Sequence, residues 1–111
     1  MPVDGSDYRL VLTTCPDEAV ALAIAEALVT EGAAACVNVV SGVTSVYRWE
    51  GGLQQDSEQL LLIKTRASAV AAVERRIQAL HPYELPEIVA VPVDTGAKDY
   101  LAWISESVTA V

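Results

Sequence analysis

Basic residues are scarce in this 111-residue chain, and the marks of several protein classes are missing from it. Seven Lys and Arg face fifteen Asp and Glu, which gives a formal net charge of −8. Seven dispersed cations form no basic stripe, so the composition argues against nucleic acid and anionic membranes as partners. No apolar run approaches the ~18 residues of a membrane-spanning helix. The first residues lack the basic-then-apolar layout of a secretory signal, and we expect a cytoplasmic location.

Cysteine and histidine are also rare: the chain has Cys15, Cys36 and a single histidine, His81. Two cysteines without CxxC spacing are too few for a disulfide framework, and we expect both thiols to be reduced. A lone histidine cannot form a zinc site by local spacing. Ser-His-Asp sets, an HExxH motif and a Gly-rich phosphate loop are missing too. We therefore expect no enzyme, and a reaction using His81 with a carboxylate is the least favoured hypothesis.

What the chain has in excess is aliphatic surface. Hydrophobic residues make up 52% of the sequence although phenylalanine is absent, and the mean hydropathy is +0.34. The length and the lack of a linker predict one domain over residues 1–111. A domain of this size has little interior in which to hide so many apolar residues, so a core shared between subunits is one explanation.

Hydrophobic periodicity and turn residues predict an alternating order of strands and helices. The predicted strands are 8–14, 33–50, 58–65 and 87–93, and the predicted helices are 16–32, 68–80 and 98–108. The second and third strands form a long hairpin that turns at Gly51 and Gly52. This order, β-α-β-β-α-β-α, predicts an α+β fold: a ferredoxin-like split β-α-β sandwich with a long hairpin and a C-terminal helix.

The helix ends carry recognisable signals. Pro16 suits a first helical turn, Gly32 suits an exit, and Ser68 is the expected cap of the second helix. Pro82 disfavours helical geometry in the residue before it, so that helix is expected to end near Leu80. Apolar stripes are predicted on all three helices: Val20, Ile24 and Leu28 on the first, Val70, Val73, Ile77 and Leu80 on the second, and Tyr100, Leu101, Ile104 and Val108 on the third.

Two predicted strands are apolar at successive positions, "LLLI" at 60–63 and "IVAV" at 88–91. Consecutive residues of a strand point to opposite faces, so both faces of the sheet should be apolar. Two helices cover only one face, and the chain has no spare element for the other. We therefore predict a homo-oligomer that packs sheet against sheet, and a charge at Leu61 or Leu62 should abolish it.

Several polar and aromatic residues allow either a structural or a functional interpretation. His81 suits a helix end by its dipole, but it also suits a ligand or proton-transfer role. Cys36 is typical of a buried small hydrophobe, whereas Cys15 lies near a helix N-terminus, which can lower a thiol pKa. Strand parity places Glu58 with Lys64 on one strand, and Tyr47 with Trp49 on its partner. Glu84 and Glu87 follow His81 in a proline-containing loop, where their spacing fixes no distance.

The ordered segments of the chain resemble one known family. They are "TTCPDEAVALAIAEALV", "GAAACVNVVSGVTSVYRWEG", "EQLLLIKT", "HPYELPEIVAVPV" and "YLAWI". Together they span roughly residues 9–106, and the chain is identified as similar to the divalent-cation tolerance protein CutA family. The resemblance implies a ferredoxin-like protomer in a tight homotrimer whose hairpins reach into neighbouring subunits. It also implies a response to divalent metal ions with copper binding, and no established enzymatic reaction.

The resemblance carries over to particular residues. The family's recurring cysteine and histidine match Cys36 and His81, and with Glu87 they are the expected ligands for copper or another divalent metal ion. Positions that line a small-ligand pocket between subunits match Tyr47, Trp49, Glu58, Lys64 and Tyr83.

The chain departs from this pattern at two positions and leaves one alternative open. Copper-binding relatives can carry a cysteine where Thr13 stands and a histidine where Leu80 stands, and neither residue here is a ligand for a soft metal. The architecture is also similar to that of the PII signalling proteins. The alternative is therefore a PII-like signalling or scaffold trimer that binds a small anion or a partner protein in the same clefts, with Lys64 and the aromatic residues as motivation.

Overall fold

The structure, a computed structural model, describes residues 2–109. Within that range six strands and three α-helices alternate along the chain. The strands are β1 (Pro2–Asp4), β2 (Tyr8–Cys15), β3 (Cys36–Trp49), β4 (Gly52–Arg66), β5 (Val89–Pro92) and β6 (Thr95–Ala97). The helices are α1 (Glu18–Thr30), α2 (Val70–Leu80) and α3 (Lys98–Ser107). Within residues 2–109, no helix has the length and apolar content needed to cross a bilayer.

The main sheet has four strands in the order β3-β4-β2-β5. All three pairings are antiparallel, and the connectivity is the predicted split β-α-β pattern. β5 is an edge strand, as Pro92 near its end indicated, because proline cannot donate a ladder hydrogen bond. A second sheet of two strands, β1 paired with β6, was not predicted, since three-residue strands are too short to show a period.

Helix α1 begins after its cap, Asp17, and ends at Thr30, two residues before Gly32. The side chain of Asp17 accepts a hydrogen bond from the Val20 backbone N–H at 2.9 Å, which satisfies one of the free donors of the first turn. Pro16 therefore lies before the cap, whereas the sequence predicts it inside the first turn. Gly32 has a φ of 75° in the exit loop, a conformation that glycine adopts without strain.

Helix α2 begins differently from the prediction but ends where it was expected. A 3₁₀ turn, Ala67–Ala69, precedes the helix, so the expected cap Ser68 lies inside that turn and the cap position is Ala69, without a side-chain hydrogen bond. The helix ends at Leu80 because His81 already has extended backbone geometry, as a residue before proline prefers.

Helix α3 buries one side against the sheet end. Leu101, Ile104 and Val108 are buried and form a small cluster with Ala35. Tyr100, predicted on the same side, is instead 44% exposed. The centre of its ring lies 5.6 Å from that of Trp103, with the two ring planes tilted by 33°. The prediction was wrong for Tyr100 because adjacent helical positions differ by about 100° around the axis.

The hairpin of β3 and β4 contains a tight turn and a bulge. Its turn is Glu50–Gly51, both with positive φ, which is the conformation of the two-residue hairpin turns that match strand twist. The turn lies one residue earlier than predicted. Between the pairs Val40–Leu60 and Val43–Glu58, β3 has two residues where β4 has one. Such a bulge shifts the side-chain alternation of one strand against the other.

One face of the main sheet packs on α1 and α2. The fully buried residues of this core come from alternate positions of the strands and from the stripe of each helix: Val11, Cys15, Ile24, Leu28, Leu61, Ile63, Val73 and Ile77. The predicted stripes of both helices are confirmed at these positions. We call this side of the sheet the helix face.

The other face of the sheet leaves aliphatic side chains partly exposed within residues 2–109, and we call it the open face. The β-ladder register places Leu62 beside Leu12, and Leu12 beside Val89. Leu10 and Val91 form a second such pair. Val89 and Val91 are 48% and 43% exposed. The predicted apolar second face is therefore present.

Candidate functional site

A cleft lies where the hairpin meets the loop after α2. Its volume is about 880 Å³. β3 supplies one wall, the loop of residues 82–87 supplies another, and Glu58 and Thr14 lie between them. Four of the predicted ligand-pocket residues line the cleft, namely Tyr47, Trp49, Glu58 and Tyr83. The fifth, Lys64, does not.

The bulge in β3 is what brings these residues to one side. Before the bulge, Cys36 pairs with Lys64 and Val40 with Leu60. After it, odd positions of β3, Tyr47 and Trp49 among them, share a face with the even positions of β4. Without the extra residue the two aromatic side chains would point away from Glu58. Sequence parity could relate Tyr47 to Trp49, but it could not relate them to Glu58 across a bulge.

His81 lies behind the cleft, and both of its ring nitrogens are occupied. Nδ1 accepts the backbone N–H of Tyr83 at 3.1 Å, so Nε2 carries the ring proton. Nε2 lies 2.7 Å from the Thr14 carbonyl oxygen, to which it donates. The ring is buried and ties the loop to the end of β2. It has no free nitrogen for a metal ion or a proton-transfer step in this arrangement.

Tyr83 connects the loop to a buried carboxylate. Its hydroxyl donates to Oε2 of Glu58 at 2.8 Å, and its ring lies 4.6 Å from that of His81. Burial and the hydrogen bond to Glu58 raise the pKa of the Tyr83 phenol. Tyr83 is therefore a neutral donor at physiological pH. Glu58 is only 5% exposed, and nothing in the sequence indicated that this charged strand residue would be buried.

Tyr47 is held in a similar way on the hairpin. Its hydroxyl donates to Oδ2 of Asp56, which lies diagonally across the two strands. This hydrogen bond raises the pKa of the Tyr47 phenol. The sequence did not connect Asp56 with Tyr47. The two residues can be placed together only when both the antiparallel register and the position of the bulge are known.

The charges of the cleft are mostly negative. Glu58, Glu84 and Glu87 are carboxylates in its lining, and Arg48 is the basic residue there. A concave surface with an excess of one sign concentrates ions of the opposite sign. The cleft therefore favours cations over anions.

Lys64 and Cys36 form a separate pair on the open face. The Nζ of Lys64 lies 4.0 Å from Sγ of Cys36 and donates to the side-chain oxygen of Asn38. Lys64 is thus occupied by Cys36 and Asn38, two neighbours on its own sheet. Cys36 also lies near Tyr100: burial, and then the charge of Cys36, raise the pKa of the Tyr100 phenol.

The three predicted metal ligands do not come together within one chain. His81 is buried behind the cleft, Glu87 lines it, and Cys36 lies on the open face. Across residues 2–109, no three side chains of His, Cys, Asp or Glu are grouped so that they could hold a metal ion. Within the described range, the residues of one chain therefore do not fit copper, and a site would require groups from another copy.

Cys15 offers no replacement ligand or nucleophile. It lies fully buried on the helix face. Burial, and to a lesser extent the charges of Glu58 and Asp17, raise the pKa of the Cys15 thiol to about 11. The position near a helix N-terminus therefore does not lower this pKa, because desolvation of the thiolate outweighs the helix dipole.

Comparison with known proteins connects the fold and the cleft to one family. A family described as "CutA1 divalent ion tolerance protein" matches residues 9–107. The divalent-cation tolerance protein CutA of Thermus thermophilus is 52% identical over 99 residues, which cover 89% of this chain and 96% of that protein. Protein CutA of Mus musculus is 42% identical over 110 residues, and the match spans 62% of its length.

Solved structures agree with these matches. The crystal structure of CutA from Xylella fastidiosa superposes with a TM-score of 0.92 at 46% identity, covering 94% of this chain and 100% of that one. Relatives differ in location by their names, since one from Archaeoglobus fulgidus is called periplasmic and one from Arabidopsis thaliana chloroplastic. The sequence match, the fold and the coverage lead to one conclusion: the chain belongs to the CutA1 divalent ion tolerance protein family.

Proposed function

We propose that this chain acts in the tolerance of, or response to, divalent metal ions as a cytoplasmic homotrimer without an enzymatic reaction. The observation that carries the proposal is the open face, an apolar sheet surface in a chain of a divalent ion tolerance family. The proposed function has two parts, the assembly and the cation site.

The assembly follows from the exposed aliphatic side chains. Val89 and Val91 stand beside Leu12 and Leu10 on the open face, where water would contact all four side chains. Burial of apolar surface stabilises by about 25 cal/mol per Å², and a second copy of the same sheet is an available surface with the same chemistry. Three copies around an axis would bury the aliphatic part of each open face within a closed assembly.

The cation site is proposed to lie between subunits. Cys36 is the one predicted ligand on the open face, and thiolate is a good ligand for Cu(I). Assembly through the open face would bring Cys36 close to side chains of another copy. Those side chains would provide the further ligands that are not grouped with Cys36 within residues 2–109. His81 remains in its structural position in this proposal, because its two hydrogen bonds would have to break before it could bind a metal ion.

Calorimetry with Cu(I), Cu(II) and Zn(II), combined with light scattering for the oligomeric state, tests both parts. We expect a trimer, and we expect Cys36→Ser to weaken copper binding at least tenfold. Cys15→Ser is the matched control and should bind copper as the parent protein does. Equal affinities for the parent and Cys36→Ser would contradict the proposed ligand, and a stable monomer at micromolar concentration would contradict the assembly.

A second candidate, a PII-like signalling or scaffold trimer, is favoured by the volume of the cleft, although the carboxylates in its lining suit a cation better than the small anion expected from the sequence. Its volume of about 880 Å³ falls within the usual range for small-molecule sites and far exceeds the space that a metal ion needs. A thermal-shift screen with nucleotides, carboxylates, amines and metal ions separates the two candidates. Stabilisation by an organic compound and not by metals would favour the second.

A further inference from the structure

The carboxylate of Glu58 uses only one of its two oxygens within the fold. The residue is 5% exposed, and one of its oxygens accepts the Tyr83 hydroxyl. Among residues 2–109 no donor forms a hydrogen bond with the other oxygen, Oε1. Oε1 is not one of the buried polar atoms that lack a partner, so it is accessible to solvent. Since Glu58 lines the cleft, a ligand in the cleft could donate a hydrogen bond to Oε1.

Further negative charge lies at the mouth of the cleft. Glu84 and Glu87 belong to its lining and are solvent-exposed. Asp56 is exposed and already accepts the Tyr47 hydroxyl. The cleft thus has one carboxylate inside and two at its edge, so a ligand with more than one positive charge would meet a carboxylate at both ends.

The wall of the cleft is aromatic and substantially exposed. Tyr47 and Trp49 are 41% and 44% exposed on β3, and Tyr83 faces the cleft from the loop. Aromatic faces attract ammonium groups and pack against alkyl chains. Aromatic walls together with carboxylates are a poor environment for anions and a favourable one for organic cations.

We propose that this cleft binds a linear aliphatic di- or polyamine. One ammonium group would donate to Oε1 of Glu58, and the alkyl chain would lie along Tyr47 and Trp49. A second ammonium group would lie near Glu84 and Glu87 at the mouth. Ammonium groups are donors only, which suits a site whose free groups are carboxylate oxygens. The proposal concerns the small-ligand cleft of the second candidate function and does not depend on copper binding by Cys36.

Intrinsic fluorescence provides a direct readout, since one of the two tryptophans lies in the cleft. Trp49 lines the cleft and Trp103 lies on α3, so Trp103→Phe leaves Trp49 as the sole reporter. In this background, titration with spermidine at low ionic strength should give a saturable change in Trp49 emission. Calorimetry should give one spermidine per cleft, and raising the salt concentration should weaken the affinity.

Charge-matched variants make the test specific. Glu58→Gln keeps the shape and still accepts the Tyr83 hydroxyl, and it should weaken spermidine binding at least tenfold. Glu106→Gln removes the same charge on α3, outside the cleft lining, and should change the affinity less than twofold. Butylamine, with one ammonium group, should bind at least tenfold more weakly than 1,4-diaminobutane.

Three outcomes would overturn the proposal: no saturable spermidine signal, equal affinities for the parent and Glu58→Gln, or a nucleotide bound in preference to spermidine. Trp49→Leu, followed by calorimetry, provides a second check if Glu58→Gln fails to fold, and it should also weaken binding. Cys36→Ser should bind spermidine normally, so a failure of the copper proposal and a failure of this one give different results.

Discussion

The two faces of the main sheet come from the same strands but have different surroundings. On β4, Leu61 and Ile63 point to the helix face and are fully buried, whereas Leu60 and Leu62 point to the open face and remain partly exposed. Both faces have similar aliphatic side chains. The difference shows that composition makes a surface apolar, but only the arrangement of the helices decides which surface the chain itself covers.

This comparison separates two roles of adjacent residues. Side chains on the helix face stabilise the fold of one chain, because they pack on α1 and α2. Side chains on the open face stabilise the proposed assembly, because within residues 2–109 they lack a covering element. Substitutions on each face test that separation.

The largest effect is expected from a charge on either face. Leu61→Asp buries an unpaired carboxylate beneath the helices and should lower the free energy of unfolding by more than about 4 kcal/mol. Leu62→Asp should instead yield a folded chain that no longer assembles. Circular dichroism with denaturant and light scattering measure the two results.

Leu53→Asp is the control for both variants, because Leu53 is 79% exposed at the hairpin end. It should fold as the parent does. A stable trimer formed by Leu62→Asp would contradict the role assigned to the open face, and a fully folded Leu61→Asp chain would contradict the role assigned to the helix face.

A smaller effect is expected from two buried threonines on the helix face. Thr65 donates to the Ala33 carbonyl at 2.6 Å, whereas the Thr13 hydroxyl is buried without a hydrogen-bond partner. Thr65→Val should destabilise by about 1–2 kcal/mol, and Thr13→Val should be neutral or stabilising by up to about 1 kcal/mol. Urea denaturation of both variants measures the difference, and equal effects of the two substitutions would contradict it.

The smallest effect at neutral pH concerns Cys15 on the helix face. The folded chain raises the pKa of this thiol from 9.0 to about 11, so between these values the folded state holds a proton that the unfolded state has lost. The stabilisation is complete below pH 9 and declines as the pH rises through 11, by at most ~1.4 kcal/mol per pH unit.

Unfolding free energies measured from pH 8 to 11 test this sign. Cys15→Ala should show a shallower decline than the parent protein. Parallel curves for Cys15→Ala and the parent would show that the buried thiol contributes nothing to the pH dependence.

Much of the fold was predictable because its signals are local. The helix stripes, the long hairpin, the end of α2 before Pro82 and the edge position of β5 were all expected from the sequence. The cap at Ser68 and the orientation of Tyr100 were predicted wrongly. The two-stranded sheet of β1 and β6 was missed, since its strands are short and distant in sequence, and their pairing depends on contacts that no periodicity shows.

The candidate site was predictable only in its members. Tyr47, Trp49, Glu58 and Tyr83 do meet in one cleft, but Lys64 does not join them. Their common orientation depends on the bulge after Val40, and residue spacing alone does not show where a strand gains an extra residue. The hydrogen bonds that occupy His81 join residues far apart in the chain, so the sequence left its role open.

The sequence by itself determined the elements and the two apolar faces, because alternation and turn residues act over a few neighbours. It also determined the family, through motifs that follow one another in a fixed order. The tertiary structure decided which apolar face the helices cover and that Glu58 is buried with one free oxygen. It also decided that the His81 ring connects the loop after α2 to the end of β2 by hydrogen bonds, while carboxylates and aromatic rings line the cleft. These properties depend on contacts between distant segments, and such contacts form only when the chain folds.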